Sequence, residues 1–198
     1  MSESARPRLS YAQAARSLLR ESVLTTVDEL VRKDGWAATT VEKVAKTVGI
    51  SRQTVYNEFG NKQSLAEAYI THRLDKLLVS VRDTVLNSPD LETGLHGALT
   101  LFFEFVDEPL IRTVLSGSGD RTGLTDLLRD VNERSVEELS SLLQTVKPNI
   151  DDYDAMILAD SIARLAVAHA IVPTIESSEA TKRLVRLAQI VLAAIDTP

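Results

Sequence analysis

Three side chains that can read the edges of DNA bases lie close together in the sequence. Arg52, Gln53 and Asn57 fall within the segment SRQTVYNEF. An arginine pairs with guanine O6 and N7, and a glutamine or asparagine pairs with adenine N6 and N7, so these residue types favour direct readout of the major groove. Two neighbours, Thr54 and Tyr56, carry hydroxyl groups that suit phosphate contacts, which position a protein without reading sequence.

This chemistry requires one short helix that enters the groove and a second that packs across it. Thr39 and Glu42 predict a capping box at the start of one short helix, and Gly49 predicts its end. Ser51 predicts the start of another short helix that ends near Phe59. The pattern is typical of a helix-turn-helix whose second helix presents the three base-reading candidates. The alternative is an ordinary solvated helix face.

The segment from residue 35 to residue 69 resembles the N-terminal domain of the TetR family of transcriptional regulators. The matching motifs are GW (Gly35, Trp36), the threonine before the second helix (Thr40), VGIS at the turn, TVY..F in the reader helix (Thr54, Val55, Tyr56, Phe59) and K..L at the next helix (Lys62, Leu65). The resemblance implies an all-helical protein with a ligand pocket in its body and a homodimer built by its last two helices.

The resemblance also implies roles for individual residues. Thr40, Tyr56 and Lys62 match positions that contact phosphate, and the three base-reading candidates match positions that read bases. Many members have glycine or another small residue where this sequence has Gln53. The operator preferences of the family are therefore not transferred to this chain.

The remaining sequence also predicts helices, so the fold class is all-α with about nine helices. The predicted helices run from Ser10 to Asp34, through the short pair, from Asn61 onward, from Ser88 to Asp107, from Pro109 to Leu115, from Leu124 to Val146, from Tyr153 to Val172, and from Ser177 or Ser178 to Ile195. A flexible linker is predicted over residues 116–123. We expect a three-helix DNA-binding domain over residues 1–60 and a helical bundle for ligand binding and dimerisation over residues 61–198.

The fifth predicted helix holds three of the four phenylalanines of the chain. We expect Phe102 and Phe105, together with Leu128 and Val131 from another helix, to line an apolar effector cavity. Plain core packing is the alternative interpretation of these side chains.

Polar side chains in the same region would set the class of ligand. Arg112 and Arg134 are candidates for pairing with a ligand carboxylate, although pairing at the protein surface is the alternative. Asn132 is a further polar candidate on the helix that carries Arg134.

The last two predicted helices are apolar on more than one face. A helix that is apolar all round must be covered on all sides, and at the end of a small domain a second subunit can supply the cover. Burial within one subunit is the alternative. The expected interface residues are Ala159, Ala163, Leu184, Leu187 and Val191.

Composition excludes several other classes of protein. The chain has no cysteine, so it has neither disulfides nor thiolate metal sites, and its three histidines are scattered. No metal site, cofactor or catalytic motif is expected, and neither a membrane span nor a signal peptide is predicted. The charge is +3 through residue 62 and −9 beyond it, so the N-terminal part is the one suited to nucleic acid. The predicted location is the cytoplasm.

Together these features predict a ligand-responsive regulator, most simply a repressor. Its partners would be a pseudo-palindromic double-stranded DNA operator, a second copy of the chain and a small apolar or amphipathic effector. A helical carrier or sensor that does not bind DNA is the alternative, but it leaves the residues of the reader helix without a purpose. An enzyme would rest only on the presence of a pocket.

Overall fold

The structure is a computed structural model that describes residues 10–115 and 121–195. In these ranges every regular element is a helix, and nine are present. They are α1 (Tyr11–Ala38), α2 (Val41–Val48), α3 (Arg52–Phe59), α4 (Lys62–Leu86), α5 (Leu91–Val106), α6 (Pro109–Leu115), α7 (Arg121–Val146), α8 (Asp152–Ile171) and α9 (Ser177–Ile195). None of them, among the described residues, is long and apolar enough to span a bilayer. The all-α prediction is confirmed.

The chain forms two packing units that meet within α4, between His72 and Arg73. The first turns of α4 belong to the first unit, where Tyr69 is buried and donates a hydrogen bond to Asp28 over 2.8 Å. The functional limits of 1–60 and 61–198 stay a prediction. Most of the predicted linker, residues 116–120, lies outside the described residues, and α7 begins at Arg121.

Two helix starts differ from the sequence prediction. Thr40, not Thr39, caps α2, because the Thr39 side chain is buried and donates to the carbonyl of Gly35 over 2.9 Å. Gly35 has a φ of 78° and interrupts the helical backbone of α1 four residues before Thr39. α5 begins after Asp90, whose carboxylate accepts from the Thr93 N–H.

The first unit is built on small apolar side chains that are completely enclosed. Val23 and Val27 of α1, Val44 of α2 and Val55 of α3 are each at most 1% exposed. Gly49 joins α2 to α3 with a φ of 82°, a left-handed conformation that glycine adopts without strain. These contacts fix the face of α3 that points away from the core.

The second unit packs α5, α7, α8 and α9 against one another. One cluster of buried residues includes Leu143, Ala159 and Ala188, and another includes Phe103 and Leu184. A Cβ atom on Gly94 would lie 3.1 Å from Cα of Val85, so glycine permits a close approach of α5 to α4 at this point. Between α4, α5, α7 and α8 the side chains leave a cavity.

Candidate nucleic-acid interface and internal cavity

The outward face of α3 carries the three base-reading candidates. Val55 and Phe59 turn inward and are buried, while Arg52, Gln53 and Asn57 are exposed. The cap of α3 is the Ser51 hydroxyl, which accepts from the N–H of Thr54 over 3.0 Å. The structure therefore brings the three candidates together on one exposed surface of a short, capped helix.

Each of the three side chains has a hydrogen-bond partner within the protein. Arg52 donates to a carboxylate oxygen of Glu42 on α2 over 2.9 Å, and Gln53 donates to the side-chain oxygen of Asn57 over 2.8 Å. Hydrogen bonds from its own backbone N–H and from Arg52 hold the pKa of Glu42 below its usual range. A base contact by Arg52 must therefore replace an existing ion pair.

The four phosphate candidates have different environments. Tyr56 is 43% exposed, and Thr40 is exposed while its hydroxyl caps α2 by accepting from the N–H of Lys43. Thr54 is half-buried and shares a hydrogen bond with the Ser51 hydroxyl over 2.8 Å. Lys62 donates to the carbonyl of Trp36 over 3.3 Å and lies 4.9 Å from the centre of the Trp36 ring. Lys62 thus also fastens the start of α4 to the end of α1.

A cluster around Glu58, which the sequence analysis missed, holds α3 against α1. Arg16 and Arg20 of α1 both bind its carboxylate, over 2.9 and 2.8 Å, and Arg20 also lies 4.6 Å from the centre of the Phe59 ring. Burial raises the pKa of Glu58, but the ion pairs with Arg20 and Arg16 outweigh it and leave the pKa lowered. The partners are about 40 residues apart in the sequence, so no local pattern could reveal them.

The second unit encloses an apolar cavity of about 90 Å³ between α4, α5, α7 and α8. Phe102 and Val131 line it, whereas Phe105 and Leu128 do not. Phe105 is 8% exposed and lies three residues from Phe102, on the same side of α5, but one turn beyond the residues that line the cavity. The lining of the cavity consists of Leu74, Leu77, Leu78, Val81, Leu95, Ala98, Leu99, Phe102, Val131, Asn132, Ser135, Leu139, Ile162, Ala163, Ala166 and Val167.

Two polar side chains, Asn132 and Ser135, lie on one wall of this cavity. Asn132 donates through its amide nitrogen to Asp160 over 3.1 Å, and Ser135 donates to the carbonyl of Val131 over 2.7 Å. Hydrogen bonds from Arg164 and then from Asn132 hold the pKa of Asp160 below its usual range. Asn132 and Asp160 also line an open groove between α7 and α8.

The two candidate arginines take surface partners. Arg134 binds Asp75 and Asp130 over 3.0 and 3.2 Å, and Arg112 lies 3.8 Å from Asp107. Neither belongs to the lining of the cavity. The carboxylate-pairing interpretation therefore has no support from the structure.

A second cavity of about 50 Å³ adjoins the first. Its lining is apolar throughout and includes Leu142, Val146, Leu158 and Ala188. The residues that line both cavities, here called the waist residues, are Val81, Leu95, Ala98, Leu139 and Ile162. No sequence pattern indicated this second space.

The residues expected at a subunit interface are mostly enclosed within the protomer. Ala159, Ala163 and Leu184 are 2%, 8% and 2% exposed, because α8 buries its alanine face against its own subunit. Leu187 and Val191 are half-buried. The exposed apolar side chains of α8 and α9 are instead Tyr153, Met156, Ile157, Leu165, Ile171 and Ile190.

Comparisons with known proteins agree on one family. Residues 24–69 match the model of bacterial regulatory proteins of the tetR family, and residues 90–190 match that of the bacterial tetracyclin repressor C-terminal domain. The chain is 33% identical to the HTH-type transcriptional regulator AlkX of Mycobacterium tuberculosis, over 91% of this chain and 88% of that protein.

Two further relatives differ in their action on transcription. The crystal structure of the TetR family repressor AlkX from a Dietzia strain, implicated in biodegradation of n-alkanes, aligns with a TM-score of 0.70 and 28% identity over 89% of this chain and 97% of that one. The HTH-type transcriptional activator FasR of Mycolicibacterium smegmatis is 26% identical over 44% of this chain and 40% of that protein.

Proposed function

Because the chain belongs to the TetR family and is a DNA-binding transcriptional regulator, we propose that it is a repressor that a small apolar or amphipathic effector releases from its operator. The exposed face of α3 supports the DNA-binding part of this proposal, since Arg52, Gln53 and Asn57 lie there on a buried scaffold. Repression is favoured over activation by the full-length similarity to AlkX, because FasR matches less than half of the chain.

The effector part of the proposal rests on the cavity of the second unit. Its lining is almost wholly apolar, so it suits a ligand that gains most of its binding free energy from burial. Similarity to a repressor implicated in n-alkane biodegradation points in the same direction. Release from DNA requires that the effector bind the DNA-incompetent arrangement more tightly than the competent one.

The proposed assembly is a homodimer through the exposed faces of α8 and α9. Regulators of this family bind DNA as dimers, and a pseudo-palindromic operator needs two linked reader helices. Ile157 and Leu165 on α8 and Ile190 on α9 are 43%, 39% and 53% exposed, which is surface that a partner subunit could cover. These residues replace Ala159, Ala163 and Leu184 in the proposed interface.

The deciding experiment selects bound fragments from the source genome and measures affinity for the best fragment. We expect a footprint with two half-sites about one helical turn apart, and affinity that falls when an apolar effector is added. Binding that an effector strengthens would contradict release. Reporter transcription from the same fragment distinguishes repression from activation.

The interface is tested with matched variants on exposed apolar positions. Ile157→Glu is expected to give monomers by light scattering, because it places a charge where the partner would pack. Val79→Glu, at a residue of α4 that is 61% exposed, is the control and is expected to remain dimeric. A dimeric Ile157→Glu variant would move the interface elsewhere.

A further inference from the structure

The two cavities follow one another along the same four helices. On α4 the first cavity contacts residues from Leu74 to Val81 and the second contacts Val81 and Val85. The same order holds on α7, from Val131 at one end to Val146 at the other. An α-helix rises about 1.5 Å per residue, so the lined stretch of α4 is about 16 Å long. The combined space is therefore elongated and runs along the helices.

The waist residues separate the two spaces with side chains only. All five are apolar, and Leu95, Leu139 and Ile162 are long enough to change rotamer and open a passage. Opening would cost no hydrogen bond, because none of these side chains makes one. A flexible, unbranched chain fits such a passage, whereas a wide ring system would have to displace helices.

The polar atoms are confined to one end of this space. Asn132 and Ser135 line the first cavity only, and the second cavity has an entirely apolar lining. Each of the two side chains already donates a hydrogen to a protein acceptor, Asp160 for Asn132 and the Val131 carbonyl for Ser135. Both oxygens keep capacity to accept, so a ligand group with a hydrogen to donate is the best match.

A carboxylate head would be a poor match at this end. It accepts hydrogen bonds but donates none, so it cannot bond to the side-chain oxygens of Asn132 and Ser135 and could use only the amide hydrogen of Asn132 that Asp160 leaves. Asp160 carries a negative charge next to that amide, and its partner Arg164 points to solvent with 65% of its side chain exposed. Two carboxylates around one amide repel each other.

We propose that the two cavities form one slot for an unbranched primary alcohol, with its hydroxyl at Asn132 and Ser135 and its chain running past the waist residues toward Val146 and Ala188. This inference rests on the proposed effector function and specifies the ligand of the same site. Asn132 also lines the open groove between α7 and α8, so the polar end of the slot borders that groove.

The length of the slot is tested with a series of primary alcohols binding to the full-length protein. Each additional buried methylene contributes about 0.8 kcal/mol, so affinity should rise about fourfold per carbon until the slot is full. Ala188→Leu, which fills the far cavity, should move the plateau to shorter chains and leave the affinity of short ones unchanged. Val146→Phe serves the same purpose if Ala188→Leu does not fold. An unmoved plateau in a folded variant would overturn the slot.

The head group is tested with the alcohol, the alkane and the carboxylate of one chain length. The alcohol should bind about threefold to tenfold more tightly than the alkane, as one net hydrogen bond allows, and more tightly than the carboxylate. Asn132→Leu should remove the preference over the alkane. Gln144→Leu, at a residue of the open groove outside the slot, is the control and should keep it.

Different results would overturn the head-group assignment and the effector function. A carboxylate that binds more tightly than the alcohol, or a preference that survives Asn132→Leu, would overturn the head-group assignment while the effector function stands. If no member of any series bound the protein or changed its affinity for the operator, the proposed effector function itself would be overturned.

Discussion

The outward face of α3, here called the reader face, carries Arg52, Gln53 and Asn57. Its physical arrangement is the opposite of that of the cavity in the second unit. On α3 the candidate residues are polar, exposed and already paired, while the core beneath them is closed around Val44 and Val55. In the second unit the candidate site is inside, almost without polar atoms, and is defined by space that side chains do not fill. DNA binding at the first site would exchange hydrogen-bond partners at a surface, whereas ligand binding at the second would fill a cavity.

The two arrangements differ in how much stability a substitution in each region should cost. Side chains in a closed core lose contacts on every side when they are shortened, whereas a side chain that borders a void already lacks some of them. Surface pairs are screened by solvent and contribute little to stability. Stability should therefore be most sensitive in the first unit's core and least sensitive on the reader face, where only binding changes.

The largest changes in unfolding free energy are expected for two leucines of α4. Leu65 lies in the closed core and is 1% exposed, while Leu78 borders the cavity and is 9% exposed. Leu65→Ala should cost about 3–5 kcal/mol of unfolding free energy and Leu78→Ala about 2–3 kcal/mol. Denaturant unfolding at fixed protein concentration measures both. Equal costs would contradict the expected difference in packing around the two leucines.

The next prediction concerns DNA affinity and separates base contacts from phosphate contacts. Arg52→Ala should cost about 1–3 kcal/mol at one operator position and relax specificity there. Lys62→Met, which keeps the apolar stem over Trp36, should weaken binding to all sequences about equally and reduce the salt slope by about one. Fluorescence titration of operator variants at several salt concentrations decides between them. A sequence-selective Lys62→Met would reverse the two assignments.

These two sites also differ in how far the sequence could reveal them. Gly49 and Ser51 are local signals that predicted the turn and the start of α3, and the exposed positions of Arg52 and Asn57 follow from the helical period. Of the four residues predicted to line an effector cavity, Phe102 and Val131 border the cavity of the second unit, and Phe105 and Leu128 do not. A cavity results from the way four helices pack, so no residue type predicts it.

Helix packing also explains why the residues predicted at the subunit interface are mostly buried within the protomer. Alanines such as Ala159 and Ala163 permit close helix packing, but the sequence does not say whether the neighbouring helix belongs to the same subunit. In the structure the neighbouring helices belong to the same protomer. The sequence likewise predicts Thr39 as the cap of α2, but Thr40 is the cap, because the Thr39 side chain is buried and donates to the Gly35 carbonyl.

A smaller effect is expected from the ion pairs that hold α3. Glu58→Gln should cost about 1 kcal/mol near neutral pH, since Arg16 and Arg20 are partly solvated. The pKa of Glu58 is lowered on folding, so its contribution is complete above the ordinary glutamate pKa of about 4.3 and is lost as the pH falls through the folded value. The stability difference between wild type and variant should therefore shrink in acid. A difference that is constant with pH would show that packing, not charge, is responsible.

The smallest effect on stability is expected at Gln53. Its hydrogen bond to Asn57 is exposed, so Gln53→Ala should change the unfolding free energy by less than about 0.5 kcal/mol. The same substitution should alter which base is preferred at one operator position, as selection from a randomised half-site would reveal. A large loss of stability would mean that the pair is part of the fold and would weaken the contrast between the two regions.

The empty space between α4, α5, α7 and α8 has a mechanical consequence. A void of about 90 Å³ amounts to about 50 mL per mole of protein, which is comparable to the whole volume decrease that many proteins show on unfolding. Hydrostatic pressure should therefore flood or unfold the second unit before the first. A compound that occupies the void would remove that volume and raise the pressure midpoint, so compression could detect effectors without operator DNA.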